Sequence, residues 1–546
     1  MATAGIDRRR HTSSERRWAG LSLALLAVVV APIAALALSV FAFDPELWRT
    51  QLGNRLGAQI LGTITVMVGV GAVALGLGAS LAWLVTAYRF PGSRLLTWLL
   101  ALPLAMPGYI LGYVMLAVFD FTGPVQQTWR SWFGQDAWFP EVRSMPGLIL
   151  VLGLVLYPYV FLLARAALKD QAGAAYQTAR SLGAGPTEAA RRVVFPMLRP
   201  ALAASLAIVM METLTDFATV DYFGVDTVSV GVYKLLTAAG NREAANQLAL
   251  TLFGFAILVI VAERIGRGKA SFAQAGRDSA GFTPQKLSGF KGLLASAACV
   301  VLLMASIGAP VLQLIFWMIQ ETRIERATSV SSRFLDFAGN SLLLAALTAS
   351  ACLLIAVTLS NNARMNPSRV TRSAVRLATL GYSLPGTVVA IGVLMVLVAI
   401  DRLTDATPLP LIVTGSVLGI VYGCTVRYLG PGLHSVESGL TQVSTSVTDS
   451  ARSLGLSRVA TVRRVHVPLS TSSLLTAVVL VSVDTIKELP IILLLRPFGF
   501  DTLSIWVWNL SSESRFTQAA LPAIVIVLTA AVPVVYLSRR LERSTG

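Results

Sequence analysis

The chain has 546 residues, of which 55% are hydrophobic and only 13% are charged, about half the charged share of an average soluble domain. Its 44 Lys and Arg outnumber 28 Asp and Glu, but they lie in short segments beside long apolar runs, which indicates membrane topology rather than nucleic-acid binding. Cys299, Cys352 and Cys424 fall inside apolar runs, so the composition favours neither a disulfide framework nor a metal site built on cysteine.

Apolar runs of about 20 residues follow one another along the chain and predict twelve transmembrane helices. The predicted spans are 18–43, 57–85, 95–118, 147–168, 201–220, 243–263, 290–318, 340–360, 374–400, 410–430, 471–495 and 517–537. Residues 1–17 form a basic tail, and a polar linker covers 264–289. The run from Trp18 to Phe43 is also compatible with a signal peptide, but it is longer than a signal sequence and is interpreted as an uncleaved span.

One polar segment occurs twice, at an offset of 272 residues, which indicates two related halves. The copies are Gln177-Thr178-Ala179-Arg180-Ser181-Leu182-Gly183 and Asp449-Ser450-Ala451-Arg452-Ser453-Leu454-Gly455, and Pro196 and Pro468 follow at the same offset. The first predicted domain covers 57–263 with its loop at 170–199, and the second covers 340–537 with its loop at 431–470. Six spans in each half make the halves parallel repeats, so the predicted fold is an all-α polytopic membrane protein.

The distribution of basic residues predicts the orientation in the membrane. With the N-terminus inside, 31 of the 44 Lys and Arg fall in cytoplasmic segments, 12 fall outside, and Lys487 lies within a span. The excess on one side predicts cytoplasmic N- and C-termini and places both repeated loops in the cytoplasm.

Each repeated loop has the pattern of a short helix, a turn and a second helix. Apolar residues at i, i+4 and i+7 give the first helix a narrow apolar stripe: Ala175, Ala179 and Leu182 in one copy, Val447, Ala451 and Leu454 in the other. Gly183 and Gly455 suit a left-handed C-cap. The second helix is predicted to begin at Pro186 or after an N-cap at Ser457. It is predicted to end near Pro196 or Pro468. The stripe either packs on the chain's own spans or binds a partner common to both loops, and the repetition favours the partner.

The spacing of these residues resembles the EAA loop of binding-protein-dependent ABC importer permeases. The first copy has Gln177, Ala179, Gly183 and Pro196. The second copy has Asp449, Ala451, Gly455 and Pro468 at the same spacing, and this spacing matches that of the family pattern. The chain departs from the family pattern at Gln177 and Asp449, where glutamate is usual. The resemblance implies that residues Gln177 to Gly183 with Pro196, and Asp449 to Gly455 with Pro468, couple the permease to ATPase subunits.

Acidic residues occur at equivalent positions in two predicted spans. Glu212 and Asp216 align with Asp484 and Glu488, and Lys487 lies beside them. Ionised groups cost about 2.5–3.5 kcal/mol each near a bilayer centre on insertion scales, so they are expected to face the bundle interior or water. These five residues are interpreted either as the lining of a translocation path or as a structural ion-pair cluster. No metal site is assigned to them.

The segments 211–225 and 487–503 are similar to those of ferric-iron importer permeases, a family that also fuses two permease halves. Thiamine and aminoalkylphosphonate importer permeases share this architecture and remain alternatives. The resemblance implies a bacterial inner-membrane permease with two cytoplasmic ATPase partners, which use ATP and Mg, and a periplasmic or lipid-anchored binding protein. The chain itself is expected to bind no cofactor and to have no catalytic residues.

Two further features bear on the energy source. The sequence contains no phosphate-binding loop; the nearest stretch, 266–270, ends in Ala270 where a hydroxyl would be needed. A gradient-driven secondary transporter is the more distant alternative, but such a protein has no need of paired loops with matching Gly and Pro spacing.

Overall fold

The computed structural model is helical almost throughout the residues it describes. It describes residues 2–42, 45–49, 53, 55–169, 173–267, 284–324, 329–404 and 413–543. The predicted linker 264–289 and the stretch 266–270 therefore lie largely outside the described residues, as do residues 170–172 of the first repeated loop.

Thirteen α-helices lie in the part of the chain described up to residue 267. They are α1 Ala2–Leu38, α2 Pro45–Leu47, α3 Leu56–Ala87, α4 Ser93–Leu99, α5 Gly108–Phe119, α6 Pro124–Phe133, α7 Met145–Ala167, α8 Gly173–Ser181, α9 Pro186–Ala189, α10 Phe195–Thr215, α11 Phe217–Tyr222, α12 Val228–Thr237 and α13 Arg242–Arg267. A parallel pair of two-residue strands, β1 Tyr88–Arg89 and β2 Gln285–Lys286, joins the end of α3 to the last part of the predicted linker.

Another thirteen α-helices lie in the described residues from 284 onwards. They are α14 Gly289–Leu303, α15 Ala309–Ile324, α16 Ser329–Met365, α17 Arg369–Ala378, α18 Gly386–Thr404, α19 Val417–Gln442, α20 Thr445–Ser453, α21 Arg458–Thr461, α22 Val467–Leu469, α23 Thr471–Lys487, α24 Pro490–Leu495, α25 Leu503–Ser512 and α26 Phe516–Arg543.

Among the described residues, ten helices are long and apolar enough to cross a membrane, and the number is eleven if a pair bent by 82° at Ser470 is counted as one span. The predicted span 410–430 corresponds to α19, which is 26 residues long but less apolar than the ten. The all-α, multi-spanning fold is thereby confirmed.

Two predicted spans each divide into a short helix and a longer one. The span 95–118 becomes α4 and α5, and the span 374–400 becomes α17 and α18. Pro107 and Pro385 lie directly before the longer helices. Because proline has no N–H and restricts the residue before it, each proline marks a helix start rather than a position within a continuous span.

The described helices form two compact units. One comprises Met1–Asp44, Ala245–Leu250 and Ser331–Ile505, and the other comprises Pro45–Ala244, Thr251–Val330 and Trp506–Gly546. In the first of these units α1 packs on α17 and α18, and α19 packs on α23. In the other, α3 packs on α7 and α10, and α15 packs on α26. The first helix thus packs with helices of the second repeat.

The contact of α1 with α18 depends on a glycine. A Cβ atom at Gly392 would lie 2.4 Å from the carbonyl oxygen of Pro32. We expect Gly392→Val to lower the thermal unfolding midpoint of the purified chain, since overpacking a close helix contact costs about 1–3 kcal/mol. Gly254→Val is the matched control, because a Cβ at that helical glycine would have no atom within 4 Å. Equal midpoints for the two variants would contradict this packing.

Candidate functional site

The two repeated loops share one backbone geometry. Gly183 and Gly455 adopt φ angles of 91° and 86°, in the left-handed region, as predicted. The residue after each glycine donates its N–H to the carbonyl of the alanine five positions back, over 3.0 Å to Ala179 and 3.2 Å to Ala451. These bonds pair carbonyl groups that would otherwise be unpaired at the helix end, so the turn is fixed by the backbone.

The starts of the second helices are also as predicted, but one of their ends is not. Helix α9 begins at Pro186, and Ser457 caps α21 by accepting a bond from the N–H of Ala460 at 3.3 Å. The second loop ends at Leu469, next to Pro468. The prediction that the second helix of the first loop ends near Pro196 is wrong, because the chain stays helical from Pro186 to Thr215.

A π-helical turn explains how the helix passes Pro196. In residues Ala190–Val194 the backbone widens, and the N–H of Phe195 bonds to the carbonyl of Ala190 five residues back. The same turn occurs at Val462–His466 in the other repeat. This widened turn gives room for a proline ring, which has no N–H to continue the normal ladder.

Each loop exposes one leucine at its turn. The side chains of Leu182 and Leu454 are 83% and 82% exposed. The alanines of the predicted apolar stripe are less exposed to solvent, since Ala179 is half-buried and Ala451 is buried. Among the other predicted loop residues, Thr178, Asp449, Ser450, Pro196 and Pro468 are exposed, and Gln177, Arg180 and Arg452 are half-buried.

The loops are anchored to their own repeats by different contacts. In the first loop, Tyr176 is buried and its ring meets Trp83 edge-on at a centroid distance of 5.7 Å. In the second loop, the fully buried His466 lies between Asn361 and Thr448, with Nε2 2.9 Å from the Thr448 hydroxyl.

Further polar contacts fasten the second loop. The guanidinium of Arg364 donates to the carbonyls of Leu440 and Val443, and Arg458 donates to Asn366 at 2.9 Å. Sequence reasoning did not single out these residues. A usable signal was present, because His466 replaces Val194 in an otherwise similar stretch.

The predicted span 201–220 is broken at Asp216. Helix α10 ends at Thr215, and the Asp216 carboxylate caps α11 by accepting from the N–H and hydroxyl of Thr219 at 2.8 and 2.7 Å. Gly108 allows this approach, since a Cβ there would be 2.2 Å from the Asp216 carboxylate. Asp216 therefore lies outside the helix that carries Glu212, although the two residues are only four positions apart.

Glu488 breaks the span 471–495 in the same way. It follows the end of α23, and its carboxylate accepts a bond from the N–H of Ile491 at 3.1 Å, which caps α24. The carboxylate also accepts from the Tyr428 hydroxyl and forms an ion pair with Arg427 at 3.7 Å. Glu488 and Arg427 are both 5% exposed, and a Cβ at Gly386 would lie 3.1 Å from the Glu488 carboxylate.

Lys487 pairs with a different acid. Its ammonium group lies 2.8 Å from the carboxylate of Asp484, and both side chains are partly exposed. Glu488 is thus neutralised by Arg427, a residue that sequence reasoning did not identify. Glu212, Asp216 and Asp484 are also partly exposed.

A second repeated motif follows each break. Residues 223–229 and 498–504 both read Phe-Gly-x-Asp-Thr-x-Ser, at an offset of 275. The backbone N–H after each motif threonine donates to a hydroxyl on the opening helix of that repeat: Val228 to Thr63 at 3.0 Å, and Leu503 to Ser341 at 2.9 Å. The repetition does not align at the offset of the loops, because its own offset is three residues longer.

A comparison with known protein families accounts for this duplicated geometry. The family model described as "binding-protein-dependent transport system inner membrane component" matches residues 72–265 and, again, residues 353–545. The chain belongs to this family. It is a fused permease in which each matched region contains one repeated loop and one capped helix break.

Several characterised permeases are similar to this one. The Fe(3+)-transport system permease protein FbpB 2 of Haemophilus influenzae is 27% identical over 486 residues, which cover 89% of this chain and 90% of the relative. The molybdenum transport system permease protein ModB of Escherichia coli is 26% identical over 36% of this chain and 86% of the relative. The sulfate transport system permease protein CysW of Escherichia coli is 32% identical over 29% of this chain and 53% of the relative.

The two acids that break the spans are expected to differ in their contribution to stability. Glu488→Gln removes the negative charge from a buried ion pair with Arg427, at a cost of about 3–5 kcal/mol. Asp216→Asn keeps a side chain that caps helices well, and caps contribute only about 1 kcal/mol. We therefore expect Glu488→Gln to lower the thermal unfolding midpoint of the purified permease by much more than Asp216→Asn.

The double variant Arg427→Met with Glu488→Leu is the control, because it removes both buried charges together. Its midpoint should lie above that of Glu488→Gln alone. If the single and double variants unfold at the same temperature, the ion pair does not stabilise the break.

Proposed function

We propose that this permease belongs to an ATP-driven importer and forms the transmembrane path for a substrate delivered by a soluble binding protein. The observation that carries the proposal is the pair of loops with the same left-handed glycine turn and the same exposed leucine. Loops usually vary more than the elements they connect, so two matching loops imply two equivalent binding events.

The partners proposed for these loops are two copies of a cytoplasmic ATPase, one on each loop. ATP and Mg would be used by those subunits, and this chain contributes no residue to the hydrolysis. The excess of Lys and Arg in the segments that contain the loops supports cytoplasmic loops and termini. The proposed location is the bacterial inner membrane, with a periplasmic or lipid-anchored binding protein on the opposite side.

Ferric iron is the proposed substrate. The support is the similarity to the Fe(3+) permease of Haemophilus influenzae, which extends over 89% of the chain and so includes both repeats. The similarity to the molybdenum and sulfate permeases covers 36% and 29% of the chain. Thiamine and an aminoalkylphosphonate are the other substrates to be compared in the same assay.

The proposed path residues are the partly exposed acids Glu212, Asp216 and Asp484, with Lys487 beside Asp484. Glu488 is assigned a positioning role instead, since its carboxylate is engaged by Arg427, Tyr428 and a backbone N–H. This assignment divides the five predicted acidic and basic residues between transport and structure.

Uptake into vesicles tests the function and the path together. The permease, its ATPase and its binding protein are reconstituted, and labelled ferric iron is supplied with ATP. We expect ATP-dependent uptake that molybdate, sulfate, thiamine and aminoalkylphosphonate do not reduce. Asp216→Asn should slow uptake several-fold while the complex still assembles, because asparagine keeps the cap and removes only the charge.

Uptake of another substrate in place of iron would overturn the assignment of ferric iron and leave the permease function standing. Iron uptake at the parental rate in Asp216→Asn would remove this carboxylate from the path. A mass measurement of the intact complex gives the stoichiometry, and two copies of this chain in one complex would contradict the proposal of a single chain with two ATPases.

The loop glycines provide a separate prediction. We expect Gly183→Val and Gly455→Val to uncouple ATP hydrolysis from uptake, because a β-branched residue strongly disfavours the left-handed turn. Nothing lies within 4 Å of a Cβ at either position, so the effect is conformational rather than steric. Gly185→Val is the matched control, since this neighbouring glycine is equally uncrowded and has no positive φ. If substrate stimulates ATP hydrolysis and hydrolysis drives uptake normally in all three variants, the left-handed turn has no role in coupling.

A further inference from the structure

The second repeated loop is held by a chain of hydrogen bonds that runs from α16 to the π-helical turn. The amide nitrogen of Asn361 donates to the carbonyl of Val357 at 2.8 Å, so its amide oxygen is left to accept from Nδ1 of His466. On the other side of the ring, Nε2 lies 2.9 Å from the Thr448 hydroxyl. The Thr448 oxygen in turn accepts from the guanidinium of Arg364 at 3.4 Å.

The partners in this chain specify a neutral imidazole ring. An arginine can only donate, so Arg364 occupies a lone pair of Thr448 and leaves the hydroxyl proton of Thr448 to bond to Nε2. An amide oxygen can only accept, so Nδ1 of His466 carries the ring proton. His466 is fully buried, and both of its ring nitrogens are hydrogen-bonded in this one protonation state.

A second proton on the ring would disturb this arrangement. Nε2–H would then point at the hydroxyl oxygen that already accepts from Arg364, and the hydroxyl proton of Thr448 would lose its acceptor. Two positive charges would share one buried oxygen, which is unfavourable away from water. Burial and the Arg364 guanidinium accordingly lower the pKa of His466, which lies in the loop before α23.

The other charged groups of the surrounding helices do not offset this charge. Arg458 on α21 donates to Asn366 at 2.9 Å, and Glu437 on α19 pairs with His434 at 3.8 Å. The remaining charged side chains are exposed or half-buried: Asp449 and Arg452 on α20, and Arg463 and Arg464 in the π-helical turn. Within the described residues none of these groups bonds to His466, so Arg364 is the charge that acts on the ring.

The first loop is held by apolar contacts at corresponding positions. Trp83 and Tyr176 meet edge-on at a centroid distance of 5.7 Å, and Val194 in the first π-helical turn is 1% exposed. At the loop offset of 272, Tyr176 corresponds to Thr448 and Val194 corresponds to His466. Two members of the polar anchor therefore have apolar or aromatic counterparts.

The third member is identified by aligning the opening helices. Equivalent backbone N–H groups donate to Thr63 on α3 and to Ser341 on α16, which gives an offset of 278 residues. At that offset Trp83 corresponds to Asn361. The same three positions thus form an apolar anchor in one repeat and a hydrogen-bonded anchor in the other. The fold does not require a histidine here, and histidine is the side chain whose ordinary pKa lies in the physiological range.

We propose that neutral His466 is the positioning residue that holds the second loop against α16, and that protonation of its ring releases this loop while the first loop stays in place. The released loop brings the positive charge of the ring into water, which the buried position excludes. Anchorage is complete above about pH 6.5, the ordinary pKa of histidine, and is lost as the pH falls through the lowered pKa of the anchored form.

The consequence for transport rests on the function proposed above. With one ATPase on each loop, acidification on the side of the loops removes the fixed attachment of one ATPase and leaves that of the other. Hydrolysis then continues with less uptake for each ATP. The importer is thereby sensitive to the pH of the compartment that contains its loops.

Hydrogen–deuterium exchange of the purified full-length chain tests the release without substrate or ATPase. Rates are divided by the intrinsic exchange rate at each pH, because the exchange chemistry itself depends on pH, and the first loop is the internal reference. We expect the protection of peptides from α20 and α21 to fall up to about tenfold for each pH unit below about 6.5, since release takes up one proton. The protection of α8 should not change.

Two variants separate the charge of the ring from its hydrogen bonds. His466→Gln keeps a donor and an acceptor but does not titrate, so the protection of the second loop should become independent of pH. Asn361→Asp keeps the acceptor and adds a negative charge that favours the protonated ring, so this loop should stay protected in acid. His434→Gln is the matched control, because it makes the same substitution at a histidine whose side chain is 71% exposed, and it should keep the parental pH dependence.

The proposal is overturned if the protection of the second loop does not depend on pH in the parental chain, or if both loops lose protection equally. It is also overturned if His466→Gln retains the loss in acid. If His466→Gln leaves the loop unprotected at every pH, Asn361→Asp decides, and a loss of protection in acid equal to that of the parental chain overturns the proposal.

The effect on transport is measured in the reconstituted vesicles as uptake per ATP hydrolysed, at about pH 7.5 and about pH 5.5, on either side of the ordinary pKa of histidine. This ratio should fall in acid for the parental permease and stay constant for Asn361→Asp. An unchanged parental ratio would overturn the effect on coupling. Because the exchange measurement needs neither substrate nor ATPase, its outcome is independent of the proposed function.

Discussion

The fold depends on pairing backbone N–H groups where two spans break between apolar helices. No water is available in a hydrocarbon region to hydrogen-bond a free N–H, so a helix can stop there only if another group replaces the missing partner. Asp216 and Glu488 supply that partner as caps of α11 and α24. Pro490, the first residue of α24, has no N–H to be paired in the first place. The acids at these positions are accordingly part of the backbone architecture.

The two repeats keep the same backbone and hold it with different side chains. Gly62 lets the carbonyl of Asp226 approach so closely that a Cβ would meet its oxygen at 2.1 Å. At the equivalent point of the other repeat, Asn340 donates to the carbonyl of Asp501 at 2.9 Å. The motif segment is thus positioned by close packing in the first repeat and by a side-chain hydrogen bond in the second. The repeats share the backbone geometry and not the individual contact.

The repeated loops connect directly to the helix breaks. In the first repeat the helical path runs from Pro186, through the π turn and Pro196, to Thr215 without interruption. In the second repeat the path bends by 82° at Ser470 and then continues along α23 to Lys487. A partner that moves an exposed loop therefore acts on the helix that follows the loop. That helix ends at the partly exposed Asp216 in the first repeat and at the buried pair of Glu488 with Arg427 in the second.

Local patterns in the sequence determined the fold class, the duplication and the loop geometry. The glycines at helix ends and the N-cap at Ser457 depend on short-range chemistry, and these predictions agree with the structure. The apolar runs predicted a helical membrane fold correctly, although four of the twelve predicted spans are divided. The assignment of the family rested on spacing that is visible in one chain. The sequence also contained the motif Phe-Gly-x-Asp-Thr-x-Ser twice, although its shifted offset concealed it.

Only the tertiary structure decided which charges meet. Lys487 is next to Glu488 in the chain, but Glu488 meets Arg427, which is 61 residues earlier. It also decided that α1 packs on α17 and α18 of the second repeat and that Trp83 and His466 anchor the two loops. Such partners lie far apart in the chain and come together through helix packing, and no local pattern in a single sequence encodes which distant side chains will share a buried space.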